Sequence, residues 1–143
     1  MIKAFTSDEL YSFLYEDDYD IFSKNMEDLK SRIKYFDFGN GYWRDDFYVC
    51  KFSDDKIVGV LNYCVTKKDP TFQGHNHFIS YISVDSNFRN QGIMTDLLLV
   101  WNEGIRRNDK GMCGCSGFTQ SGFDFLRPKL IEMGVECEDG ISF

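Results

Sequence analysis

Tyr81-Ile82-Ser83-Val84-Asp85-Ser86-Asn87-Phe88-Arg89-Asn90-Gln91-Gly92-Ile93-Met94-Thr95 is the stretch whose reading decides the fold. Strand-forming residues run into a short polar connection, and a helix opens at Gly92. From there Ile93, Leu97, Leu98, Trp101 and Ile105 recur on one helical face. A helix start leaves backbone N–H groups without intrahelical partners and carries positive partial charge, so phosphate oxygens suit it. Gly92 has no Cβ to hold a ligand away from the backbone, and Arg89 adds a formal positive charge. The connection lacks the lysine and Ser/Thr of a P-loop, and it lacks a Gly-x-Gly-x-x-Gly turn. A phosphate here would be held mostly by backbone amides. The alternative is an ordinary strand–helix connection that binds nothing.

Upstream, Met1 to Phe5 reads as a short strand. Thr6 then starts a helix, with Glu9 three residues on as in a capping box. Leu10, Phe13 and Leu14, and later Phe22, Met26, Leu29 and Ile33, repeat at helical spacing, giving two short helices before Phe38. Phe47–Phe52 and Ile57–Val65 read as strands joined by the polar hairpin Ser53-Asp54-Asp55-Lys56, and His77–Asp85 as a third. Downstream of the helix at Ile93, Met112 to Phe118 reads as a strand parallel to it. Gly122 to Met133 reads as a helix ending at a C′ glycine, Gly134, with Pro128 kinking it or sitting in its first turn. One or two strands fit between Val135 and Phe143.

The 143 residues fit one domain, and 43% hydrophobic with 17% aromatic residues supplies one sizeable core. The net charge of −7 argues against nucleic acid and anionic membranes as partners. It favours a cationic acceptor, either a small-molecule amine or a basic protein segment; the bland alternative is that acidity only aids solubility. No apolar run reaches the roughly 20 residues of a membrane span, and the N-terminus lacks a signal-peptide core, so a cytoplasmic protein is expected. Five cysteines are odd in number and suit buried thiols. Cys113-Gly114-Cys115 and His75-Asn76-His77 invite a zinc reading, but Cys-x-Cys fits one face of a strand, and no metal is expected.

Arg89-Asn90-Gln91-Gly92-Ile93-Met94, following Ile82-Ser83-Val84, resembles the Arg/Gln-x-x-Gly-x-Gly/Ala cofactor signature of the GNAT superfamily of N-acetyltransferases. Met94 stands where that signature has Gly or Ala. The order of elements resembles the superfamily over most of the chain. The resemblance implies an α+β, GNAT-like fold: a mixed, mostly antiparallel twisted sheet of 6–7 strands, helices on both faces, in a single domain over 1–143. It implies acetyl-CoA as co-substrate. Ile82, Ser83 and Val84 would pair with the pantetheine arm, while Arg89, Asn90, Gln91, Gly92, Ile93, Met94 and Thr95 would hold the diphosphate. The arm would enter where the strand at 112–118 splays from the strand at 77–85, near Thr119-Gln120-Ser121-Gly122. The implied reaction is direct transfer of an acetyl group to a primary amine in a ternary complex. An enzyme for a longer acyl group, and a CoA-binding module without catalysis, are the alternatives.

Many relatives carry a Glu base at the position that is Phe78 here, and a Tyr acid on the last helix, which has none. The only two histidines, His75 and His77, lie beside Phe78. A β-bulge could bring either inward, and His77 is the candidate base; otherwise both are polar residues at a strand edge. Tyr42, Trp43 and Asp45 are candidate acceptor-binding residues, with aromatic rings and a carboxylate suited to an ammonium group. The bland reading is a solvated loop with one anchoring ring.

Overall fold

The computed structural model describes residues 1–13, 21–23, 26, 29, 44–66, 77–105, 113–115 and 126–137. The chain starts with β1 (Ile2–Thr6) and turns at once into α1 (Ser7–Tyr11). The turn is fixed by the capping box read from the sequence. The Glu9 amide donates to Thr6 Oγ1 at 3.1 Å, and the Thr6 amide donates to Glu9 Oε1 at 3.0 Å.

The long hairpin β2 (Arg44–Ser53) and β3 (Lys56–Thr66) forms the middle of the sheet. Its tight turn places Asp54 and Asp55 at φ 49° and 65°. Two left-handed residues match the twist of a two-residue hairpin, and aspartate tolerates that region better than most side chains. β1 pairs antiparallel with β2, and β3 with β4 (His77–Val84). β5 (Cys113–Cys115) and β6 (Glu136–Cys137) then add short parallel ladders, in the order β1-β2-β3-β4-β5-β6.

After β4 a 3₁₀ turn, Ser86–Phe88, leads to α2 (Ile93–Leu99). The helix winds on without a break as a π segment, Val100–Ile105. α3 (Arg127–Glu132) has Pro128 in its first turn, where a missing N–H costs nothing. It ends in a full Schellman cap: Gly134 at φ 80°, with Gly134 N donating to Ile131 O and Val135 N to Leu130 O. The second helix expected before Phe38, the loop at 67–76, and the outer parts of the strand at 112–118 and helix at 122–133 lie outside the described residues.

Both sheet faces are covered. On one face Phe5, Leu10, Phe22, Met26, Tyr48, Cys50 and Val60 form a buried cluster beneath α1. On the other, Val49, Leu61, Tyr63 and Ile79 pack against Leu97, Leu98 and Trp101 of α2 and its π segment, and against Leu130 of α3. α2 sits so close to β3 that a Cβ on Gly59 would lie 2.6 Å from the Ile93 γ2 methyl. Ile93 is β-branched, so that methyl has little room to yield. Gly59→Ala is therefore expected to lower stability by about 1–3 kcal/mol through overpacking, measured by denaturant unfolding.

Candidate functional site

β4 pairs with β3 from His77 to Val84 and, among the described residues, with β5 at His77↔Cys113, Phe78↔Gly114 and Ile79↔Cys115. From Ser80 to Val84, among the described residues, no strand pairs with β4 on that side. The ladder to β3 carries an irregularity beside Ile79. Asn62 pairs with Tyr81 and Tyr63 with Ile79, so Ser80 is an extra residue, a β-bulge. Ser80 is exposed although it belongs to an inner strand and its neighbour Ile79 is buried. Ile82, Ser83 and Val84, half-buried, line the open edge beyond it.

That edge leads to the loop. Asp85 anchors the loop's start and is itself buried, at 3% exposure. It accepts from Ser23 Oγ at 2.6 Å and from the Asn87 amide at 2.8 Å, while its own amide donates to Val58 O at 2.8 Å. Asn90 at φ 64° and Gly92 at φ 78° then turn the chain into α2, and the Asp96 amide makes the first helical bond, to Gly92 O at 2.9 Å. The N–H groups of the first turn precede that bond and are left outside the helix ladder. Arg89, Asn90, Gln91 and Gly92 are exposed, Met94 and Thr95 are half-buried, and Ile93 is buried against the sheet. The Arg89 Nε donates to Val84 O at 3.4 Å, at the end of the open edge. Nine of the ten candidate cofactor-binding residues are thus exposed or half-buried along the end of β4 and the loop into α2, and Ile93 is in the core.

Of the candidate acid–base and acceptor residues, His77 and Asp45 are described, and both lie apart from that loop. His77 sits in the closed part of the sheet, on the α2 face, with its ring stacked 6.1 Å from Tyr63, which in turn stacks 5.2 Å from Phe47. The bulge falls at Ser80 and leaves the alternation at His77 undisturbed; His77 is about 10 Å from it along the strand at 3.3 Å per residue. Asp45 shares a cross-strand row with His77, separated from it by Val65, and is half-buried. Phe78 belongs to the opposite face, in the row of Cys64 and Asp46. Tyr42 and Trp43, His75 and the segment Thr119 to Gly122 lie outside the described residues.

Sequence reasoning misses Asp85, Ser80 and the polar residues Tyr48, Asn62 and Tyr81 beside the bulge; Asp46, which it pairs with Asp45 as a candidate for a cationic amine, is buried. Tyr48 and Asn62 are fully buried, and the Asn62 amide donates to Phe47 O at 3.0 Å. Burial holds the Tyr48 phenol far above its ordinary value, with Tyr81 and Asp46 adding to the shift; burial also raises the Cys50 thiol. Asp85-Ser86-Asn87 does carry a legible signal, since aspartate commonly bonds an amide two residues on. The bulge has none.

Comparison with known proteins agrees with this geometry. The model of the acetyltransferase (GNAT) family matches residues 8–100, and the chain belongs to that family. Among curated proteins none matches. An aminoglycoside acetyltransferase from an uncultured soil metagenomic sample, solved with sisomicin, superposes with a TM-score of 0.61 at 17% identity, over 100% of this chain and 93% of that one. The aminoglycoside N-acetyltransferase AAC(6′)-Iy in complex with CoA gives 0.57 at 12% identity, over 100% and 96%. A ribosomal-protein-alanine N-acetyltransferase from Brucella melitensis biovar Abortus 2308 gives 0.56 at 12%, over 100% and 96%. At these identities the likeness is one of fold.

Asp85 is the pin of this site. Asp85→Ala would leave the Ser23 hydroxyl and the Asn87 amide without their acceptor, and the expected loss of stability is about 2 kcal/mol in denaturant unfolding, with Asp85→Asn losing less.

Proposed function

We propose that this chain is an acyl-CoA-dependent N-acetyltransferase that moves an acetyl group from acetyl-CoA to a primary amine, and that residues 1–143 act as one domain whose sheet runs to the six or seven strands of the GNAT fold. The observation that carries the reading is the loop after β4, whose left-handed Asn90 and Gly92 turn the chain into the start of α2. Family membership and the fold shared with a CoA-bound acetyltransferase support it.

The diphosphate would lie on the amides of Asn90 to Thr95, with Arg89 at the rim. Ile82, Ser83 and Val84 would offer main-chain N–H and C=O groups to the pantetheine, as an open sheet edge does to an added strand. The open edge closes at Ile79, so the arm's reactive end would stop beside the bulge at Ser80. There the amine nitrogen attacks the thioester carbon, the carbonyl oxygen gains charge, and the C–S bond breaks as the amide forms. Positioning the two reactants supplies most of the acceleration. The thiolate leaves with the proton that the amine gives up. Cys50 has no part as an acyl carrier, because its thiol is fully buried and raised by that burial.

His77 is the proposed base and would work through water, given its separation from the bulge. Asp45, in the same row, is the proposed ammonium partner, together with Tyr42 and Trp43. The acceptor is a small amine or a basic protein segment, as a net charge of −7 favours. No helix among the described residues is long and apolar enough to cross a membrane.

Thiol release from acetyl-CoA, followed with a panel of aminoglycosides, polyamines and peptides with free N-termini, tests the reading. Turnover on at least one amine is expected, with Gly92→Asp lowering kcat/KM by at least about 100-fold, because a side chain and a negative charge at φ 78° both oppose the bound phosphate. Tight CoA binding without turnover on any amine would instead mark a non-catalytic module, and a preference for larger thioesters a different acyl donor.

A further inference from the structure

Resting on the reading above, we infer that Lys129 of α3 is a further ligand of the cofactor, donating to its diphosphate beside the first turn of α2. Arg89 and Lys129 come from different elements. Arg89 stands in the loop before α2, whereas Lys129 reaches across from α3 and places its Nζ 3.0 Å from the Thr95 hydroxyl. Thr95 belongs to the first turn of α2, so a formal positive charge is tied directly to the amides that would receive the phosphates.

Among the described residues Lys129 has no carboxylate partner, and the Thr95 hydroxyl takes one of the three hydrogens of its ammonium group. Two donors are left for an anion. The setting makes such a cation matter. The chain as a whole carries −7, and Asp96 adds a carboxylate to the first turn of α2. Coenzyme A is a polyanion and must approach against that field. Arg89 is exposed in the loop, and Lys129, half-buried on α3, adds a second cation at the first turn of α2. Because Thr95 and Lys129 are 34 positions apart, no sequence motif joins them.

Titration calorimetry of the full chain tests the assignment, using CoA and 3′-dephospho-CoA over a range of salt concentrations. Lys129→Gln is expected to weaken both ligands about tenfold or more, the size of a lost charge-assisted hydrogen bond, and to flatten the dependence of affinity on salt. Lys129→Arg, which keeps the charge, is expected to stay within about threefold of the parent. Unchanged affinity in Lys129→Gln, equal weakening in both variants, or an unaltered salt slope would each overturn the assignment and reduce Lys129 to a tether between two helices. A loss seen with CoA but not with 3′-dephospho-CoA would overturn it too, since the lysine would then be reading the 3′-phosphate. Absence of any binding by the parent chain is a different result, which removes the acetyltransferase reading itself.

Discussion

Backbone hydrogen-bonding groups in an inner strand must be paired, and among the described residues β4 has a partner in β5 only from His77 to Ile79. Its ladder to β3 runs from His77 to Val84 around the bulge at Ser80. An unpaired polar edge is costly unless water or a ligand meets it, so a gap beside Ser80 to Val84 would seat an extended, amide-bearing molecule, as proposed. The bulge at Ser80 lies at one end of that stretch, and the loop proposed to bind phosphate lies at the other.

The rest of the molecule holds that gap in place. Buried Asp85 ties the loop to Ser23 on one side and, through its amide, to β3 on the other. Gly59 lets α2 settle closely on β3, with Ile93 of its first turn in the core. Trp101, Leu97 and Leu98, all fully buried, fix the helix's rotation about its own axis. Two layers of apolar packing, one on each sheet face, thus serve to aim a few backbone amides.

Much of this arrangement is legible in local chemistry. Thr6 and Glu9 announce a helix start, Asp54-Asp55 a hairpin, and Gly134 a helix end, because each is a decision taken within five residues. The Arg89-to-Met94 loop is readable for the same reason. What escapes depends on pairs distant in sequence. The bulge at Ser80 arises from the register of β3 against β4, the burial of Asp85 from Ser23, and the place of Lys129 from Thr95. The π winding at Val100–Ile105 also leaves no mark in the apolar period, which reads on through it. His77 shows the limit of a composition argument: it is one of only two histidines, and its ring stacks on Tyr63 in the closed part of the sheet.

The chain belongs to the GNAT acetyltransferase family, and the end of β4 with the loop into α2 is its proposed cofactor ledge. That ledge is the centre of the proposed chemistry, and amide-resolved NMR during titration with CoA examines it most directly. The amides of Ile82 to Val84 and of Asn90 to Thr95 should shift together and saturably, while those of β1 and α1 stay still. Shifts confined to other parts of the chain, or none at all at millimolar CoA, would contradict that role.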